Sequence, residues 1–503
     1  MKARLLDNAR VYRFDPRQLR FIRHNGIVIQ DGRILSLDPS DAGAGVDYVD
    51  MAGATILPAF ADAHVHLTDT GYFLGARDLS AARSYAEFFD AVARIPDDGG
   101  VVFAGQYDDA RWDDGRNADA RPLERFHAGA RAMLVRIDGH SCVVNRAALS
   151  WLALPAHSEG IELDADGAPT GRLTLRANWS AQRRFLEAMP LPQRRAAERA
   201  AVELALSRGA LHLHAQLYGF RREQYQREID ELRALPARIY PKVCEPDPAL
   251  AIELGLRYVG GDVMLDGSLG SRTAALAQPY TGEKTRGSLR FSDDDLHAYF
   301  SEAERLGIAA GVHAIGDAAI EQCIATWERV LNGRPSPNAT RHFIEHFECA
   351  SAEHIRACAR MGIYLSVQPL FDAAWGGSGG MYEQRLGTRR MRAMNAFADA
   401  VRAGAVLCGG DDAPVCPLDP LAGMQAMLEH HEAPQRLAID QALAAYTLNP
   451  ARLVYAEGET GRLAPGFAAD LVVLDRDPFE SESFRSCRVL ETWKAGEVVF
   501  TCR

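Results

Sequence analysis

No apolar run in this 503-residue chain approaches the length of a membrane span, and no N-terminal segment joins a basic start, an apolar middle and a small-residue cleavage site. A membrane protein and a secreted precursor are therefore not expected. Positive charge is in deficit: the formal net charge is −11, which argues against nucleic acid or an anionic membrane as the partner. The nine cysteines are odd in number, scattered and without a CxxC pair, so neither a disulfide framework nor a structural zinc site is expected. The simplest compartment is a reducing cytoplasm. The glycine-rich stretch from Trp375 to Gly380 lacks the Lys-Ser/Thr ending of a phosphate loop and reads as a mobile turn. What remains is an ordinary globular composition, 47% hydrophobic and 24% charged, in a chain long enough for two or three domains.

Residues 1–56 carry short alternating strands, among them Gly26-Ile27-Val28-Ile29 and Arg33-Ile34-Leu35-Ser36-Leu37 on either side of an Asp31-Gly32 turn, a strong hairpin signal. The C-terminal end, 455–503, has the same texture. Each end is too small for its own core, so the two are expected to combine into one small β-sandwich. Between them strands alternate with helical patterns, the signature of a parallel α/β sheet or barrel. Eight strand candidates follow: the apolar run into His64, then Leu211 to Ala215, Arg238 to Cys244, Asp262 to Asp266, Ile308 to His313, His342 to His346, Ile363 to Val367 and Ala405 to Cys408. Eight is the count for a (β/α)8 TIM-type barrel, here over 57–69 and 206–454. Residues 70–205 break the alternation and are expected to form an insertion lobe over the barrel mouth.

The chemistry gathers at strand ends. In Asp62-Ala63-His64-Val65-His66 the alternation of a strand turns both histidines the same way, roughly 6.6 Å apart. A lone pair of that kind is as easily structural as functional. Here, however, His313 ends the fifth strand, His346 the sixth, and Asp411-Asp412 follow the eighth, all at the end where such barrels place reactive groups. Consecutive extended residues face opposite ways, and Asp412 is the preferred ligand of the two. His342 shares a face with His346 but lies four residues toward the barrel floor, which reads as structural. The expected metal ligands are His64, His66, His313, His346 and Asp412.

The motifs Asp62-Ala63-His64-Val65-His66, Asp138-Gly139-His140-Ser141, Asp266 to Ala274, His313 to Asp317, Ile344-Glu345-His346 and Asp412-Ala413-Pro414-Val415 resemble the amidohydrolase superfamily. Within it they are similar to the branch related to N-substituted formamide deformylases. The resemblance agrees with Asp412, implies a homodimer, and implies substrate contacts at His140 and Arg272. It also implies a lysine four residues before Asp266, whose carbamylated form bridges two metals. That position is Asp262, and of the four lysines only Lys242 falls in a barrel strand. Asp262, Lys242 and His214 on the second strand are therefore the candidates for a bridging or second-metal position, and a mononuclear site is the alternative.

Imidazoles with one carboxylate suit Zn2+, as one or two ions, at a site that keeps a position open for water, although other divalent metals are compatible. The expected activity is metal-dependent hydrolysis of a C–N bond in a small-molecule amide, an N-formyl or N-acyl amine. Asp412 is the expected proton carrier and His346 a second catalytic candidate. Two competing readings stand beside it: a cyclic-amide or ester hydrolase on the same centre, and a non-catalytic scaffold of the same fold.

Overall fold

The computed structural model describes residues 3–155, 158–332 and 340–502. Its centre is a TIM-barrel-like α/β fold of eight parallel strands: β1 (Phe60–Val65), β2 (Ala210–Leu217), β3 (Arg238–Val243), β4 (Tyr258–Val259), β5 (Ala309–Ala314), β6 (Phe343–His346), β7 (Tyr364–Val367) and β8 (Leu407–Gly409). The hydrogen-bonded ladder is not continuous. It forms two arcs, β1-β2-β3 and β4 to β8, each in sequence order. At one seam the Gly260 amide donates to Val243 O at 2.8 Å. At the other, Asp412 N–H donates to His64 O and His66 N–H to Ala413 O, both at 2.9 Å.

The fourth strand differs from the sequence expectation of 262–266. It ends at Val259, and Gly260 and Gly261 follow with φ of +85° and +118°. Both are left-handed conformations that favour glycine. There is also no room for a side chain: a Cβ on Gly260 would lie 2.1 Å from Gly311 O, and one on Gly261 2.2 Å from Gln216 Oε1. The kink carries residues 262–266 out of the ladder, leaving one bridge between Met264 and His313. Asp262 thereby leaves the sheet at the barrel mouth.

Helices cover the outside. Asp293–Leu306 begins at Ser292, whose side chain accepts the Asp295 N–H, and stops at left-handed Gly307. Ala352–Met361 is capped by Ser351 and stopped at Gly362 in the same way. Their apolar faces join the strands in one large core in which Phe300 stacks on Trp327 at 3.8 Å between ring centroids.

The two chain ends meet. Thr55–Pro58 pairs antiparallel with Leu471–Leu474, and the resulting six-stranded sheet shares an apolar cluster with a four-stranded sheet from residues 4–50. Segment 70–205 contains its own five-stranded sheet, with Val101–Tyr107, Arg131–Arg136 and Ser141–Val144 adjacent, followed by helices Leu175–Ala188 and Leu191–Ser207.

Candidate metal centre

His64 is the second-last residue of β1, and His66 follows the strand's end; both rings turn to the barrel axis while Val65 between them packs in the core. Their Nε2 atoms lie 3.4 Å apart. Asp412 Oδ1 sits 3.2 Å from His64 Nε2 and 3.0 Å from His66 Nε2. Asp262 Oδ2 is 3.3 Å from the first of these nitrogens and 3.2 Å from the second. Its other oxygen faces the opposite half of the mouth: Oδ1 is 3.6 Å from His313 Nδ1 and 3.7 Å from His346 Nε2. Asp262 therefore stands between two histidine pairs with one oxygen toward each.

The surrounding residues decide which nitrogen each ring presents. His64 Nδ1 faces Glu345 Oε2 at 2.9 Å, and Glu345 Oε1 takes the Lys242 ammonium at 2.6 Å. Burial opposes ionisation of Glu345, but Lys242 and His64 outweigh it and bring the carboxyl down to about 2. His346 Nδ1 faces Gln368 Oε1 at 2.8 Å, and His313 Nε2 faces Gly267 O at 3.2 Å. Each of these three rings thus donates outward and turns its other nitrogen to the centre, as metal-binding imidazoles do.

At the centre the buried His313 Nδ1, His346 Nε2, Asp262 Oδ1 and Asp412 Oδ1 have no hydrogen-bond partner among the described residues. Orphaned polar atoms are rare in folded interiors because each costs its desolvation. Two of the candidate ligands are left-handed and strained, His346 with φ 72° and Asp412 with φ 53°. The charge pattern has the same sense. Burial alone would lower the His66 pKa, yet Asp262 and Asp412 push it up to about 10. Burial alone would raise Asp412, yet His64 and His66 hold it well below the usual carboxylate range. Two carboxylates enclosed with four imidazoles are a donor set that fits divalent cations. His64, Asp262 and His346 form one group of converging ligand atoms, and His64, His66 and Asp412 another.

A cavity of about 490 Å³ opens beside the centre, lined by His66, His140, Trp179, Tyr218, Met264 and Asp412. A second of about 390 Å³ adjoins it, walled by Phe371, Trp375, Met381 and Tyr382. His140 comes from the 70–205 segment and is held by a junction of two loops. Asp138 accepts its N–H, and the same carboxylate binds Arg136 at 2.7 Å and Ser268 Oγ at 2.6 Å. Burial and the nearby His313 keep the His140 imidazole neutral, with its pKa well below the ordinary value.

The amidohydrolase family's sequence profile matches residues 47–500. The chain belongs to that family. This amidohydrolase is a metal-dependent hydrolase of the superfamily, similar over 95% of its length to YtcJ of Bacillus subtilis (strain 168), a protein named as an amidohydrolase, at 26% identity and 94% of that protein. It is 24% identical to the N-substituted formamide deformylase of Arthrobacter pascens, with 90% of each chain covered. Among solved structures, a metal-dependent hydrolase of Pyrococcus furiosus superposes with a TM-score of 0.73 at 25% identity, covering 95% of this chain and 99% of that one.

Three residues expected at the site lie elsewhere in the amidohydrolase. Lys242, a bridging candidate, gives its ammonium to Glu345 and to Ala63 O at 2.8 Å, because a buried ammonium without a carboxylate would be far costlier. His214 is outside both ligand groups; its ring packs against Tyr240, two residues before Gln216 on β2, whose amide is the one that reaches His64 at 3.1 Å. Arg272 turns to Glu283 at 3.4 Å and lines neither cavity. Asp411 is outside both ligand groups and accepts from Asp419 N at 2.6 Å and Tyr446 OH at 3.0 Å. Residue patterns missed Glu345, Gln368 and Trp179 as parts of the site. Glu345 was visible only as the neighbour of His346 in a matching motif, and Gln368 and Trp179 were not singled out.

Proposed function

We propose that the protein hydrolyses the C–N bond of a linear N-formyl or N-acyl amine, at a centre where His64, His66, His313, His346, Asp262 and Asp412 would hold two divalent cations. The observation that carries this reading is the placement of Asp262, whose Oδ2 faces His64 and His66 while Oδ1 faces His313 and His346. This carboxylate stands four residues before Asp266, at the position where the resemblance implies a carbamylated lysine, and directly after the Gly260-Gly261 kink.

Zinc, or another divalent metal, held by these residues would supply an acidified water and polarise the carbonyl of the scissile bond. The chain does the rest. Asp412, unprotonated at neutral pH, takes the proton of the attacking water and delivers it to the departing nitrogen. Glu345 and Gln368 fix the tautomers of His64 and His346, so no ring reorients during turnover. His140, neutral and with its Nδ1 unpartnered among the described residues, is a hydrogen-bonding group for a substrate oxygen. Phe371, stacked parallel to His346 at 6.1 Å, and Trp375 offer an apolar wall to the acyl or amine substituent.

The test is a panel of N-formylated and N-acylated amines offered to metal-reconstituted protein, with metal content measured in parallel. Turnover of linear amides by a protein holding two cations per chain is expected. Cleavage confined to esters or cyclic amides, or one cation at saturation, would replace the reading.

A further inference from the structure

A strand alternates its faces, so in Val101–Tyr107 of the 70–205 segment Val102, Ala104 and Gln106 should share one. Val102 and Ala104 do join an apolar cluster, but the residue beside them there is Tyr107. The reason is a bulge. Val135 and Arg136, consecutive on the neighbouring strand Arg131–Arg136, pair with Gly105 and Tyr107 and leave Gln106 unopposed. Its φ is +73°, in the left-handed region that favours glycine. Bulges are rare between parallel strands, and beside a site they re-aim a side chain. Here the bulge keeps a glutamine out of an apolar core and delivers it to the cavity at the metal centre, which it lines together with His66 and Asp412.

The Gln106 side chain arrives there uncommitted. Its carboxamide makes no hydrogen bond with a described residue, and its oxygen and nitrogen are not among the polar atoms sealed in the interior, so they meet the cavity. The polar neighbours in the same wall are engaged. Gln182 gives its amide hydrogens to Gly139 O at 2.6 Å and Asn178 Oδ1 at 2.8 Å, and Tyr218 gives its hydroxyl hydrogen to Asp69. Arg136, also in that wall, is matched by Asp108, Asp109 and Asp138, so its charge is already answered. A carboxamide offers an acceptor and a donor side by side, and the neutral group that satisfies both at once is another amide.

We propose that Gln106 is a specificity-determining residue that pairs with a second, uncleaved amide of the substrate, so that the compound hydrolysed is a neutral bis-amide. This rests on the hydrolase reading above and narrows its substrate class. With the cleaved amide beside Asp412, the second amide lies against the wall that the 70–205 segment supplies. There its carbonyl accepts from Gln106 Nε2 and its N–H donates to Gln106 Oε1. A carboxylate in that place would leave Oε1 without a donor, and an apolar group would leave both atoms unpaired.

The test uses achiral sulfonamides in place of the cleaved amide: N-(benzylsulfonyl)glycinamide, N-(benzylsulfonyl)methylamine, which lacks only the carboxamide, and N-(benzylsulfonyl)glycine, which replaces it with a carboxylate. Binding to the metal-loaded protein is measured by calorimetry, and mass spectrometry afterwards checks that each ligand is intact. Two neutral hydrogen bonds are expected to favour the glycinamide over the methylamine roughly 10-fold, with the acid bound more weakly than the glycinamide. In Gln106→Met, which keeps the length and loses both polar atoms, the preference should fall to near unity. Gln106→Asn suits the left-handed backbone and sets the carboxamide one methylene back; it should lose most of the preference and serves as the test if the methionine variant does not fold. Equal binding of glycinamide and methylamine by the unaltered protein, an acid bound as tightly as the glycinamide, or a preference undiminished in the folded variants overturns the proposal. Failure of the hydrolase reading looks different: no amide of the panel is cleaved while the preference in binding stands.

Discussion

The two ends of the barrel handle the same side chain in opposite ways. At the floor, His342 Nδ1 accepts the Ala310 N–H at 3.1 Å, its Nε2 lies 3.1 Å from Glu304, and its ring lies on Trp327 with centroids 3.7 Å apart. His212, on the same level of β2, has Thr460 Oγ1 at 3.0 Å and Asp470 at 3.6 Å. At the mouth, His313 and His346 are as deeply buried, yet each points one nitrogen at Asp262 with no hydrogen bond to it. Burial alone therefore does not separate a structural histidine from a ligand. Hydrogen bonding to the rest of the chain separates these four rings, although it does not by itself identify a ligand: His214, outside both ligand groups, has both ring nitrogens unpartnered among the described residues as well.

Predictions that break or sharpen this contrast begin at the mouth. Asp412→Asn should lower turnover about 10³-fold or more while metal content stays near that of the unaltered protein. Steady-state rates with elemental analysis read both, and unchanged turnover would remove Asp412 from proton transfer. Asp262→Ala should cost the protein one cation at saturation, seen by the same metal analysis. Full occupancy in that variant would mean that the two histidine pairs do not depend on a shared carboxylate.

The floor should respond through stability. Burial pushes the His212 pKa from 6.5 down to about 4, so the folded protein keeps this ring neutral where the unfolded chain binds a proton. Its contribution is complete above about pH 6.5, is lost as the pH falls toward 4, and amounts to about 3 kcal/mol. Denaturant melts of His212→Gln should show that much less acid sensitivity between these limits. His342→Leu, which leaves the Ala310 N–H without its acceptor, should cost about 1–3 kcal/mol in a denaturant melt and leave metal affinity unchanged. Loss of metal in this variant would collapse the distinction between mouth and floor.

Much of the mouth was legible beforehand. The i, i+2 spacing of His64 and His66 and the strand-end positions of His313 and His346 follow from strand periodicity, and so does the displacement of His342 to the floor. Asp411 and Asp412 were not separable by pattern, because what distinguishes them is that Asp419 and Tyr446 occupy the first. Lys242 illustrates the same limit: a lone lysine in a barrel strand looks like a bridging candidate until Glu345 is found 2.6 Å from it. Trp179 comes from a segment without motif or periodicity and acquires meaning only beside His140, 5.3 Å from it.

The order of the strands, the end of the sheet at which chemistry collects and the residue types available there are properties of the chain alone, since they depend on local periodicity and on a topology with few solutions. Only the tertiary structure decided that Asp262 stands between two pairs of imidazoles and that Lys242 serves Glu345. Those outcomes turn on a glycine kink, on ångström-scale distances and on which buried charges find partners. Such properties belong to side chains brought together from distant parts of the chain, where desolvation makes a small change of position a large change of energy.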